Sequence, residues 1–319
     1  MALVLRENDV RRLLTMPDTI QVLEQAFGAL AEGMATNRPR NRLVIQRGVL
    51  NVLAAAAPTL GVIGFKTYTA FHEGVRYAVM LFSSHDGKLL SLIEADWLGR
   101  MRTGGASGLA TKYLARSDAT TVGLIGAGNQ AAMQLMGVCA VRSITAVSVY
   151  SRRTHEREVF CEEMSRLLHI PVRPVASARE AVEPADIVIT ATTSPEPVLR
   201  GEWLKPGSHI NAIGSNWPQR REIDFSALQR SYLIVTDSKE QARAEAGDLI
   251  IPANEGLFDW NLVFELSDVV GGRGPQRELP DDITLYKGLG IALEDVATAA
   301  HVYNQALKQG LGQELPLLL

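Results

Sequence analysis

Cysteine is nearly absent from this 319-residue chain: Cys139 and Cys161 are its only two, and their spacing makes no C-x-x-C pair. A disulfide-rich framework and a Cys-built zinc or redox motif are therefore excluded. The six histidines, His72, His85, His155, His169, His209 and His301, never fall at metal-ligand spacing, so no metal site is expected. No apolar run is long enough to span a membrane, and charges interrupt the opening MALVLRENDVRRLL where a secretion signal would need its apolar stretch. The expected compartment is a reducing cytoplasm, with no membrane partner. An excess of positive charge is lacking too. Against 35 acidic residues stand 32 basic ones, for a net charge of −3, and the arginines are not interleaved with aromatics, which make up 6% of the chain. Nucleic acid is not an expected partner. What the chain does have is 46% hydrophobic residues and the length for two domains.

The first third reads as two helices and a run of short strands. NDVRRLL and PDTIQVLEQAFGALAEG have helical composition, the second with Pro17 at a first helical position, where its missing N–H costs nothing. RLVIQ, VLNVLAAA, GVIGFKTYT, YAVMLFSS and LLSLIEA follow as strand-like runs, and His85-Asp86-Gly87-Lys88 supplies an Asp-Gly hairpin signal between the last two. This pattern predicts an antiparallel meander. Residues 95–116 turn helical. Beyond Asp118 the strands ITAVSVY, IPVRPVA, DIVITAT, HINAIGS and YLIVTDS alternate with helical segments such as SAREAV and FSALQ, which predicts an α/β class with a doubly wound parallel sheet. The last helix, GIALEDVATAAHVYNQALKQG, is apolar nearly all round and should be buried, back against the first domain.

Residues 120–135, TTVGLIGAGNQAAMQL, read as strand, tight turn and helix. Gly126 and Gly128 lack a Cβ where a pyrophosphate would approach the N–H groups of a helix start, and Ala131 completes G-x-G-x-x-G/A in its permitted form. A helix-entry turn without a ligand has the same string, so context must decide. The next strand ends at Tyr150, where an NAD-binding sheet of the Rossmann type carries Asp or Glu for the ribose 2′-hydroxyl. Here stand Ser151, Arg152 and Arg153. A hydroxyl and guanidinium forks accept a 2′-phosphate that a carboxylate would repel, so NADP(H) is the expected cofactor and NAD(H) the alternative. In such a sheet ligands meet the carboxyl ends of strands, which directs attention to Thr192 and Thr193 of TTSPEPVL and to Gly214 of GSNWPQRREID.

GFKTYT, RMRTGGASGLATKYLAR, GLIGAGNQA, ATTSPEPVL, GSHINAIGSNWPQRREID, EAGDL and ITLYKGLGIALEDVATA occur in the order seen in the ornithine cyclodeaminase and μ-crystallin family, which the chain resembles over nearly its whole length. The resemblance implies a homodimer built through an α+β antiparallel dimerisation and substrate domain, residues 1–116 with 296–319, and a Rossmann domain over residues 117–295. It implies an amino or imino acid bound beside the nicotinamide. Arg102 of MRTGG matches the arginine that holds the substrate carboxylate, and Lys66 of GFKTY the lysine lining the same pocket. Arg42, by its spacing to Lys66, matches a further carboxylate-binding arginine, with Arg40 as the competitor. Thr103, Gly126, Gly128, Asn129, Gln130, Ser151, Arg152, Arg153, Thr192, Thr193 and Gly214 are the expected cofactor contacts.

One position departs from the cyclodeaminase pattern. Where ornithine cyclodeaminases resemble NAVGGD, this chain reads NAIGSN and places Asn216 at the catalytic aspartate. An amide takes no proton at neutral pH and balances no ammonium. The expectation is therefore a reductase of α-imino acids, with Lys66 and Arg102 catalytic and Arg42, Lys66, Arg102 and Asn216 at the substrate. Deaminating cyclisation and non-catalytic storage of reduced cofactor are the alternatives.

Overall fold

A computed structural model describes residues 2–316. Met1 and residues 317–319, assigned above to the first domain, lie outside the described residues. The chain divides into two compact units, one comprising the residues through Gly105 with those from Gly290 onward, the other Ala106–Leu289. The division falls inside the helix Asp96–Leu114 rather than after it at residue 116, and the return comes at Gly290 rather than residue 296. The last turns of that helix bind second-unit groups: the Asn211 amide donates to Thr111 Oγ1 and the Thr284 hydroxyl to the Leu114 carbonyl.

In the first unit the expected meander forms. Gly48–Ala57, Val62–Phe71, Gly74–Ser83 and Leu89–Glu94 run antiparallel in turn, and Asn41–Ile45 and Thr36–Asn37 both pair with Gly48–Ala57. Gly87, at φ +74°, makes the predicted tight turn and donates to the Ser83 carbonyl. Three short strands were not read from the sequence, Thr36–Asn37 among them. Ala2–Leu5 runs parallel to Leu89–Glu94 and antiparallel to Gln313–Leu315. Each is too short to show a period. The sheet is thus mixed rather than wholly antiparallel. Met16–Ala31, capped by the Thr15 hydroxyl on the Asp18 N–H, and Ala292–Gln309 pack together, burying Leu23, Phe27, Val296 and Ala300.

The second unit holds a parallel sheet in the spatial order Val172–Pro174, Ala146–Tyr150, Thr121–Ile125, Ile187–Thr190, His209–Ala212, Ile283–Lys287, Ser231–Thr236, Val263–Glu265. From Thr121–Ile125 the chain builds outward to one side and then crosses to Ile187–Thr190 on the other, which makes the carboxyl ends of those two strands the switch point where such sheets bind ligands. The apolar cores of this unit include Leu124, Leu135 and Val149 in one cluster and Val188, Ile210 and Leu285 in another. Among the described residues no helix is long and apolar enough to cross a membrane, and no His, Cys, Asp and Glu cluster could hold a metal ion.

Candidate active site

The buried strand Thr121–Ile125 delivers the chain into the glycine turn. At Gly126, φ +117°, an added Cβ would strike the Ala191 carbonyl, so only glycine lets the two strand ends approach. Gly128 stands at the N-cap of the eleven-residue helix Asn129–Cys139, and a Cβ there would meet nothing within 4 Å. That open space above free helix N–H groups is what a pyrophosphate requires. The buried Ala131 faces the strand, where a larger side chain would push the helix away. A cavity of about 280 Å³ is lined by residues 126–128, 150–153 and 191–194, bringing together the expected Gly126, Gly128, Ser151, Arg152, Arg153, Thr192 and Thr193. Asn129 and Gln130 sit on the helix's first turn rather than on its wall; the Gln130 side-chain oxygen is buried and without a hydrogen-bond partner. At the Tyr150 end, Arg153 pairs with Glu156 at 2.7 Å and Arg157 donates to the Ser151 carbonyl. Arg152 is exposed and makes no hydrogen bond or ion pair among the described residues.

Three buried charged residues that the sequence reading left unassigned hold the strand-end loops. Glu222 accepts from the Thr192 N–H and hydroxyl at 2.6 and 2.7 Å, from the Thr190 hydroxyl at 2.8 Å and from the Gly214 N–H at 2.6 Å. Burial raises its carboxyl above the ordinary range, against the pull of the Lys287 charge. Asp248, from EAGDL, accepts from the Glu222 and Ile223 N–H groups, and Lys287, from ITLYK, pairs with Asp248 at 2.9 Å while donating to the Ser215 carbonyl at 2.8 Å. Gly247 permits this approach, because a Cβ there would meet the carbonyls of Arg220 and Trp217. Asn216 is half-buried on the same loop.

In the first unit the cations gather around one carboxylate. Lys66 Nζ and Arg102 Nε both donate to Asp295 Oδ1 at 2.9 Å, and Arg102 also reaches Glu294 at 2.7 Å. Two glycines make the space: a Cβ on Gly99 would press on Lys66 Nζ at 2.9 Å, and one on Gly290 would meet the Arg102 guanidinium. Asp295 Oδ2 is buried and lacks a hydrogen-bond partner. Burial lowers Lys66 to about 8; the Asp295 charge opposes that shift and the Arg102 charge adds to it. The Tyr77 and Tyr68 rings stack beside it, 5.3 and 5.9 Å from Nζ.

Arg40 donates to the Gly290 carbonyl at 3.0 Å, close enough for its charge to act on Lys66. Arg42 stands in register with Asn51, which itself faces Tyr68, so it lies two strands out from the strand of Lys66. Thr103, expected at the cofactor, donates its hydroxyl to the Gly99 carbonyl of its own helix. Asp295 and Glu294 escaped the sequence reading, although two adjacent carboxylates on a helix apolar nearly all round are a signal in themselves, since buried charges require partners.

Comparison with known proteins places these features in a lineage. The chain is 32% identical over 323 residues to the Delta(1)-pyrroline-2-carboxylate reductase of Bacillus cereus, covering 98% of this chain and 99% of that one. To the alanine dehydrogenase of Archaeoglobus fulgidus it is 32% identical over 325 residues, covering 98% of each. Among solved structures, Thermococcus litoralis Delta(1)-pyrroline-2-carboxylate reductase in complex with NADH and L-proline superposes with a TM-score of 0.93 at 38% identity, covering 98% of this chain and all of that one. The family model matches residues 1–310, and the chain belongs to the Ornithine cyclodeaminase/mu-crystallin family.

Proposed function

We propose that this protein is an oxidoreductase that moves hydride reversibly between a nicotinamide dinucleotide and an α-imino acid, giving an L-amino acid. One observation carries the proposal: a buried ammonium and a buried guanidinium converge on a single oxygen of Asp295. Arg102, held in orientation by Asp295 and Glu294, is the cation that takes the substrate carboxylate in this reading. Arg40, which donates to the Gly290 carbonyl and whose charge acts on Lys66, is taken as the second arginine ahead of Arg42. With the carboxylate fixed, the imine nitrogen is oriented toward Lys66, whose ammonium loses a proton near neutral pH far more readily than a solvated lysine. Protonating that nitrogen makes the imine carbon a better hydride acceptor.

The second unit fits a dinucleotide, by the open space at Gly128 and the cavity running from the glycine turn to Arg152. Such a cofactor supplies or accepts the hydride. Gly126 and Gly128 let the helix N–H groups reach its pyrophosphate, Ser151 and Arg152 bind a 2′-phosphate, and Thr192, Thr193 and Gly214 line the nicotinamide half. NADP(H) is the preferred form on these residues; the Thermococcus relative carries NADH. The reductases and the alanine dehydrogenase among the relatives support pyrroline-2-carboxylate, related cyclic imines and small open-chain imino acids as the substrate class. A homodimer formed through the antiparallel sheet completes the reading.

The test is a panel of pyrroline-2-carboxylate, piperideine-2-carboxylate, iminosuccinate and pyruvate with ammonia, followed by absorbance of the reduced cofactor. Consumption with at least one member is expected. A protein that binds the cofactor yet reduces none of them would leave it a storage protein.

A further inference from the structure

We infer that Glu222 is a positioning residue that sets the spacing between the two strand-end loops receiving the nicotinamide half of the cofactor. The inference rests on the oxidoreductase reading above.

An ionised carboxylate offers about four acceptor positions. Glu222 fills its positions with donors from both strand ends: Thr190, the last residue of one strand, with Thr192 in the loop after it, and Gly214 after the next strand. No neutral side chain can do the same, because a glutamine amide would turn an NH₂ toward a donor. The loops are also in backbone contact, since a Cβ on Gly214 would meet the Thr192 main chain and the Glu222 carboxylate together. Glu222 cannot drift with them, for its own N–H is fixed by Asp248, itself paired with Lys287. The result is a gap of defined width with a buried anion as its spacer.

Only one half of the dinucleotide cavity depends on this spacer. Residues 191–194 form one wall, whereas the Ser151–Arg153 end receives no bond from Glu222. Glu222 should therefore govern how the nicotinamide ring is held and leave the adenosine half untouched.

Calorimetry on the full-length protein separates the halves, with NADPH and 2′-phospho-ADP-ribose as paired ligands, or NADH and ADP-ribose if wild type takes only NADH. Glu222→Gln is expected to weaken the whole cofactor by about tenfold or more, the scale of one buried charged hydrogen bond, and to change the truncated ligand by less than about twofold. Turnover should fall with little change in KM for the imino acid. Gly214→Ala, which wedges the loops with Glu222 intact, should do the same. If Glu222→Gln fails to fold, Thr190→Val removes a single donor from outside the cavity wall, and a selective loss of the whole cofactor is again expected. Equal loss of both ligands, or unchanged affinity for both, overturns the inference. Wild-type protein that binds neither ligand overturns the oxidoreductase reading itself, and the inference with it.

Discussion

Lys66 and Asp295, 229 residues apart in sequence, meet at 2.9 Å with both side chains withdrawn from solvent. Removing water favours the neutral amine, and the Asp295 charge recovers only part of that loss, so the ammonium titrates near 8 instead of 10.5. Below about 8 the side chain carries its proton. With Lys66 as the proposed proton donor, imine reduction should slow as pH rises through about 8, and oxidation of the amino acid should quicken over the same interval. Asp295→Asn removes the charge that holds the proton on, so both limbs should move to lower pH. A pH–rate profile that stays in place in this variant rules Lys66 out as the titrating group.

Arg102→Met would remove the guanidinium proposed above to hold the substrate carboxylate. It should lower kcat/KM by about 2 to 5 kcal/mol, roughly one and a half to three and a half powers of ten. Cofactor affinity should stay as it is, because the proposed phosphate site is on the Gly126 turn. Full activity in this variant on every imino acid that wild type reduces would defeat the assignment.

Arg152 has no partner among the described residues, whereas Arg153 is engaged with Glu156. NADPH should bind about tenfold or more tightly than NADH, the gain expected of one charge-assisted contact. Arg152→Asp should reverse the order, and Arg153→Ala should matter less. Equal dissociation constants by calorimetry would count against the 2′-phosphate site.

Asn216 stands where the family resemblance implies a cyclodeaminase aspartate. Wild-type protein given ornithine and NAD⁺ should release no ammonia, and Asn216→Asp should not improve imine reduction. An ammonia assay with ornithine decides the first point and steady-state rates the second.

Leu43, Val44 and Ile45 are 59, 72 and 59% exposed on the strand Asn41–Ile45. Apolar surface of this kind signals association. Light scattering at micromolar concentration should give twice the chain mass, and Val44→Asp should halve it without altering cofactor affinity.

The glycine turn and the alternating strands are legible because their signals are local: a turn needs its own glycines and a strand its own period. Lys66 and Arg102 were singled out through GFKTY and MRTGG, and both are buried. What the sequence hid is who neutralises them, since nothing in a string brings residue 295 to residue 66. Glu222 sits in QRREID, where a run of charges reads as a solvated surface. Its burial follows from the crossing of two loops. Lys287 ends ITLYK, a strand inserted between two earlier ones, a topology that no periodicity reports. The hydrogen bond from Arg40 to the Gly290 carbonyl is likewise something that spacing to Lys66 does not encode.

The first unit is closed by residues that begin at Gly290, after the entire second unit has been made. On the ribosome, the meander and the start of the helix Asp96–Leu114 emerge with Lys66 and Arg102 uncompensated, because their counter-charges Glu294 and Asp295 are still to be synthesised. The second unit is contiguous and can fold as soon as Leu289 clears the exit tunnel. The order of completion thus reverses the order of synthesis. Nascent chains arrested before Gly290 would hold a finished nucleotide domain behind an N-terminal sheet still waiting for its last helix.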